Sequence, residues 1–166
     1  MVDVPDAHYT EASLCFPVSG DMVLLAQKQK KLGAGFLNGF GGKIEPGDAT
    51  IEDTNVREVE EEIGINIITA KKMGEVRFHN PSDDSELKQM RVHIFIATKW
   101  TGEPSETKEM KKITWYDIGK LDFTKFLVGD QLFIPQILAG KAIRGLIEYN
   151  DDWSVKASHI EEVTGF

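Results

Sequence analysis

The stretch GFGGKIEPGDATIEDTNVREVEEEIGI, Gly39–Ile65, decides the reading of this chain. It opens on closely spaced glycines and ends on a run whose apolar residues recur at helical spacing. Wound as a helix, the run puts Val56, Val59 and Ile63 on one stripe and gathers Glu58, Glu61 and Glu62 on the far side. Glu60 is a fourth carboxylate in the same turn and a half. Like charges three and four positions apart cost about 0.2–0.5 kcal/mol per pair, and Arg57, which reaches Glu61, offsets only part of that. Two arrangements relieve the repulsion: a solvated helix face, or a divalent cation held among the carboxylates. Hard oxygen donors at this density suit Mg²⁺ or Mn²⁺, ions that take protein carboxylates together with substrate phosphate.

Gly33, Gly35, Gly39, Gly41 and Gly42 crowd the chain just before this helix. Glycines adopt positive φ and let backbone approach a ligand closely, so such a run can cradle phosphate or metal. The basic run Lys28-Gln29-Lys30-Lys31 precedes them, either as a solvated strand end or as lysines that steer an incoming polyphosphate.

Outward from there, Ala12–Val18 and Met22–Gln27 read as two strands joined by the turn Ser19-Gly20-Asp21. After Gly64, which suits the residue following a helix, come short strands at Ile65–Ile68 and Met73–Phe78. A polar loop runs from His79 to Ser85, and Gln89–Thr98 has the pattern of a strand buried on one face. His93 inside that strand reads as a core or edge residue. Gly102–Lys112 is polar and contains Glu109, Ile113–Ile118 is a further strand, and Gln131–Leu138 is a helix with Pro135 within it. Ile143–Tyr149 and Trp153–Lys156 close the chain as strands around the turn Asn150-Asp151-Asp152. The sum is one strand-rich α/β domain spanning 1–166, with one strong helix and a second near the C-terminus.

Composition narrows the function. A formal charge of −8 without a basic stripe argues against a nucleic-acid polymer as partner, but not against a small polyanion delivered with its own cation. The single cysteine, Cys15, lies in an apolar run, forms no internal disulfide and reads as a small core residue. The N-terminus lacks the basic start and apolar stretch of a signal peptide, and no apolar run approaches the roughly 20 residues of a membrane span. A cytoplasmic location without membrane contact is expected.

REVEEEIGI, Arg57–Ile65, matches the second half of the Nudix box, Arg-Glu-aliphatic-x-Glu-Glu-x-Gly-aliphatic, at every fixed position. The chain therefore resembles the Nudix hydrolases. The first half of the box departs from the family: counting Gly-x5-Glu forward from Gly42 lands on Asp48, and eight residues rather than seven then precede Arg57. One extra loop residue accounts for this, with Asp48 taking the acidic role or acting as the helix N-cap. The likeness continues through KLGAGFLNGFGGKIEPGDATIEDTNVREVEEEIG, VHIFIAT, EMKKITWYDI and FIPQIL, in the order and spacing of the oxidised-purine nucleoside triphosphatase branch. That branch hydrolyses 8-oxo-dGTP to the monophosphate and pyrophosphate.

The resemblance implies an α/β/α sandwich with a mixed sheet and one catalytic helix, and Mg²⁺-dependent attack of water at phosphorus. It implies a small-molecule nucleotide as substrate, and a monomer is expected. Glu58, Glu61 and Glu62 become the metal-binding carboxylates, with the Gly41 carbonyl and Glu109 as further ligands. Arg57 orients a glutamate rather than touching substrate. Glu58 or Glu61 is the first choice of general base and Glu109 the second. Asn38, Lys28, Phe78, Met90, Leu127 and Asp130 fall at substrate-pocket positions. Leu37 and Leu127 stand where relatives carry tryptophans, Asn80 replaces an aromatic, and Gly129 replaces a second aspartate. Each lost stacking platform removes about 1–3 kcal/mol per base, so base specificity is expected to differ or broaden.

Two other readings accompany this one. A proline at the distance of Pro81 from the box occurs in the Nudix subgroup that cleaves nucleoside diphosphate sugars, although Pro81 in a polar loop is also an ordinary turn residue. A catalytically silent nucleotide-binding Nudix domain is the third; the complete set Arg57, Glu58, Glu61, Glu62 and Gly64 speaks against it.

Overall fold

The computed structural model describes residues 8–29, 34–108 and 110–166. Thr10–Ser19 (β1) and Met22–Lys28 (β2) form the expected antiparallel pair, turned at Gly20 with φ 59°. Leu37–Asn38 (β3) pairs with the end of β2, and Met110–Asp117 (β6) runs along β2. Asn66–His79 (β4) and Gln89–Thr101 (β5) make a long antiparallel pair, separated by the short helix Ser85–Lys88 (α2). Ala142–Tyr149 (β7) and Val155–Val163 (β8) close the chain. The order is β3-β2-β1-β5-β4-β7-β8, with β6 paired to β2. β1 lies parallel to β5 and β4 parallel to β7, so the sheet is mixed as expected.

Ile51–Ile63 (α1) and Ile134–Leu138 (α3) lie on opposite faces of this sheet. Successive residues of a strand point to opposite faces, and the core divides accordingly. Cys15 and Phe95 join Val59 and Ile63 of α1 in one cluster. Phe16 and Ile94 join Ile134 and Ile137 of α3 in the other. The anticipated stripe on α1 is therefore its packing face, with Val59 and Ile63 fully buried and Val56 partly so. Burying side chains of this size contributes about 1.5–3 kcal/mol each and fixes the rotation of α1, hence the side on which its glutamates emerge. Cys15 is fully buried, and burial pushes its thiol up to about 12.

Several boundaries differ from the sequence expectation. Ile65–Ile68 and Met73–Phe78 are parts of the single strand β4, whose register shifts near Ile67–Ala70 and Lys72–Gly74 interrupt its alternation. Met110, expected in a polar connection, is 2% exposed and opens β6, while Ile118 leaves the strand for a 3₁₀ turn. The helix expected over Gln131–Leu138 divides into a 3₁₀ turn at Asp130–Leu132 and α3, with Pro135 in the first turn of α3 where a missing N–H costs nothing. Trp153 precedes β8 and belongs to the turn. No helix among the described residues is long and apolar enough to cross a membrane.

Candidate active site

The glycine segment is laid against β1. Phe40 and Cys15 exchange backbone hydrogen bonds, Ser13 N donates to Gly42 O at 2.9 Å, and Ile44 N donates to Glu11 O at 2.9 Å. A Cβ at Gly41 would land on the Ser13 carbonyl oxygen, and one at Gly42 would sit 2.5–2.7 Å from the Glu58 carboxylate atoms. These glycines thus serve close approach to β1 and to Glu58, whereas positive φ is found at Gly35. The segment Gly33 and the lysines Lys30 and Lys31 lie outside the described residues.

The helix begins with a capping box. Thr50 Oγ1 accepts from Asp53 N and the Asp53 carboxylate accepts from Thr50 N, so Thr50, not Asp48, is the N-cap. Asp48 takes the acidic role. Arg57 grips it with two parallel bonds, Nε to Oδ1 at 2.9 Å and Nη2 to Oδ2 at 2.8 Å, and Thr54 Oγ1 and Glu45 N donate to the same carboxylate. The guanidinium, followed by the Glu45 N–H, holds the Asp48 carboxyl well below the usual carboxylate range. The loop with its extra residue is therefore tied to α1 by a bidentate charge-assisted pair.

Arg57 also orders the carboxylates. Nη1 donates to Glu58 Oε1 at 2.8 Å and to Glu61 Oε2 at 3.2 Å, while Nη2 donates to the Lys43 carbonyl at 3.1 Å. Glu58 is 13% exposed, and burial raises its pKa against the opposing pull of Arg57. Glu62 is buried and Glu61 is exposed. Among the described residues, no three His, Cys, Asp or Glu side chains are gathered closely enough to enclose an ion by themselves. The donor set nevertheless fits a Mg²⁺-type ion, which uses one or two carboxylates with water and substrate phosphate rather than a closed protein cage.

Glu58, Glu61, Glu62 and Gly41 line a cleft of about 880 Å³, with Lys28 and Lys43 on its wall. A second cavity of about 160 Å³ adjoins it and is lined by Asn38, Lys28, Phe78, Met90, Leu127 and Asp130, all six of the substrate-pocket positions. The two share Lys28, Gly41, Gly42, Glu62, Met90 and Met110. Asn38 Oδ1 accepts from Gly39 N at 2.8 Å, which commits the oxygen end to backbone and leaves its NH₂ to a ligand. Asn80 also lines this cavity, whereas Leu37 is core and Pro81 lines neither space. Glu109 lies outside the described residues. Sequence reasoning missed Tyr149, Trp153 and Phe133 in the cavity wall. Aromatics at a strand end (Tyr149), in the following turn (Trp153) and just ahead of a short helix (Phe133) carry no signal that they face a pocket.

Asp130 is 7% exposed, and burial raises its carboxyl to about 7 against the opposing charge of Lys28. At neutral pH such a group both donates and accepts hydrogen bonds. Its folded value lies above the ordinary value of about 4, so between those values the folded chain holds a proton that the unfolded chain has released. The contribution of Asp130 to stability therefore falls as pH rises from about 4 to about 7. Asp130→Asn is expected to flatten that fall: its melting temperature exceeds that of the unmodified protein above neutrality, and the gap closes near pH 4. Melting curves that stay parallel across the range would refute the assignment.

A family model described as NUDIX domain matches residues 8–137. The chain belongs to the Nudix family. It is 36% identical over 151 residues to the oxidized purine nucleoside triphosphate hydrolase of Danio rerio, covering 91% of this chain and 94% of that protein. It is 34% identical over 144 residues to the protein of the same name from Mus musculus, covering 87% and 89%. Among solved structures, the MutT protein from Bacillus halodurans shares the fold with a TM-score of 0.78 at 24% identity, covering 92% of this chain and 97% of that one.

Proposed function

We propose that this protein is a single-domain hydrolase of oxidised purine nucleoside triphosphates such as 8-oxo-dGTP, releasing the nucleoside monophosphate and pyrophosphate. The observation that carries the reading is the junction of a carboxylate-lined cleft with a smaller cavity bearing Asn38, Asp130 and an aromatic wall. A nucleotide needs both environments at once: an acidic, metal-accepting end for its phosphates and a partly apolar, hydrogen-bonding end for its base. The two proteins named oxidized purine nucleoside triphosphate hydrolase support the choice of substrate. The net charge of −8 favours a small nucleotide over a nucleic-acid polymer, and the proposed species is a cytoplasmic monomer.

Nudix hydrolases generally use a divalent metal ion, and here Glu58, Glu61, Glu62 and the Gly41 carbonyl would hold Mg²⁺, or Mn²⁺ in its place, with Glu109 as a further ligand. When bound, the ion neutralises charge on the phosphate oxygens. Arg57 keeps Glu58 and Glu61 in position through Nη1. A carboxylate, Glu58 or Glu61 of the cleft first and, by the family resemblance, Glu109 next, takes a proton from the attacking water. The water oxygen bonds to phosphorus as the bridging P–O bond breaks, and the electron pair leaves with the departing group. Lys28, at the junction of the two spaces, lies where phosphate meets base. Asn38 and Asp130 address the purine edge.

The test is incubation with Mg²⁺ and, separately, 8-oxo-dGTP, dGTP, 2-oxo-dATP, ADP-ribose and a dinucleoside polyphosphate, with products resolved. Monophosphate and pyrophosphate from the oxidised triphosphate are expected, with loss of turnover on chelation and recovery on re-addition of Mg²⁺ or Mn²⁺. Preferential cleavage of ADP-ribose would replace this reading with a nucleoside diphosphate sugar hydrolase. Turnover of none of them would replace it with a binding module.

A further inference from the structure

The turn between β7 and β8 holds a backbone conformation that needs a reason. Trp153 has φ 65°, a region that bulky side chains rarely enter. The turn enforces it: Trp153 N donates to Asn150 O at 3.0 Å, Asn150 N donates to Ser154 O at 2.8 Å, and Asn150 Nδ2 donates to Ser154 Oγ at 2.9 Å. Strain of this kind persists only where surrounding structure over-determines it, and it concentrates at ligand clamps. Here the strained residue is also one of the walls of the smaller cavity. Its ring lies 5.1 Å from that of Tyr149 at 55°, and Tyr149 in turn stacks on Phe78 at 6.5 Å and 8°. Gly129 N donates to Tyr149 Oη at 3.0 Å, and a Cβ at Gly129 would collide with that oxygen. The aromatic wall is thus locked to the segment that carries Asp130.

We propose that Trp153 is a specificity-determining residue whose indole, propped by Tyr149, forms the aromatic platform against the purine base in the cavity bounded by Asn38 and Asp130. This rests on the reading of the protein as a purine nucleotide hydrolase. An aromatic face binds any planar base and strengthens binding in ground and transition states alike, so it acts on KM more than on kcat. The same wall bears on the missing second aspartate: a side chain at position 129 would have to displace the Tyr149 hydroxyl, which occupies its space.

The test uses Trp153→Gly and Trp153→Phe. Glycine accepts φ 65° without strain, so the turn persists while the platform is removed. With 8-oxo-dGTP, Trp153→Gly is expected to raise KM about tenfold with kcat little changed, and Trp153→Phe to restore most of the loss. Binding of 8-oxo-dGMP is expected to quench tryptophan fluorescence in the unmodified protein and not in Trp153→Phe, because the remaining pair, Trp100 and Trp115, stack on each other outside the cavity. An unchanged KM in Trp153→Gly, or quenching that survives in Trp153→Phe, would overturn the role of Trp153 while leaving the proposed activity standing. Should Trp153→Gly fail to fold, the phenylalanine variant and the fluorescence titration decide the question. Failure of the unmodified protein to hydrolyse any purine triphosphate would overturn the functional reading and this inference with it.

Discussion

Glu61→Gln is expected to lower kcat for 8-oxo-dGTP by about a hundredfold to ten-thousandfold while leaving the melting temperature almost unchanged. Two features of the site separate the effects. The Glu61 side chain is 58% exposed, so its removal disturbs no packing, and exposed substitutions of this kind stay within about 0.5 kcal/mol. Its carboxylate nevertheless lines the cleft beside Glu58 and Glu62, where the proposed reaction calls for a negative oxygen to hold a cation or take a proton. Gln keeps an oxygen that accepts from Arg57 Nη1 but carries no charge and no basicity. Glu60→Gln is the control: it removes the same charge from the same helix at a position that does not line the cleft, and unaltered turnover is expected. Steady-state kinetics with thermal unfolding of both variants checks this. Wild-type kcat in Glu61→Gln would remove Glu61 from the machinery.

How legible the molecule is from its sequence depends on whether a feature is local. The stripe Val56, Val59, Ile63 predicts both the buried face of α1 and the side of its glutamates, because helix geometry is set within one turn. The pairing of β1 and β2 is equally local and is signalled by Gly20. The resemblance to the oxidised-purine branch places six residues from five segments around one cavity, where periodicity alone would not. The long strand β4 was hidden because its register shifts break the alternation that identifies a strand. For Asp48 the sequence allows the acidic role or the helix cap, and the structure gives it the first, because Arg57, nine positions on, reaches back across the loop to hold it while Thr50 caps the helix. Trp153 carries no sequence signal as a cavity wall, because its place there goes with a positive φ in a turn closed by three hydrogen bonds rather than with any pattern of residue types.

Gly41→Ala is expected to be the most destabilising single-methyl change in the cleft, lowering stability by about 3 kcal/mol or more. The new Cβ would overlap the Ser13 carbonyl oxygen and lie 2.6 Å from the Ser13 carbonyl carbon and 2.9 Å from Leu14 Cα. Neither backbone can yield cheaply, since the bonds joining Ser13 to Gly42 and Cys15 to Phe40 hold both to one register on either side of the clash. Overpacking costs about 1–3 kcal/mol, and each backbone bond broken to relieve it adds about 1 kcal/mol. For a chain of this length that corresponds to a fall of roughly 6–12 °C in melting temperature. Gly42→Ala separates shape from stability. Its Cβ meets the far end of the Glu58 side chain, which can swing away, so the fold survives while a carboxylate leaves the cleft and turnover falls. Gly47→Ala meets no atom within 4 Å and is expected to change neither quantity. Thermal melts and kinetics of the three variants together decide the matter: a Gly41→Ala protein as stable as Gly47→Ala would mean that the glycine segment does not lie against β1, and the placement of Glu58 beneath it would fall as well.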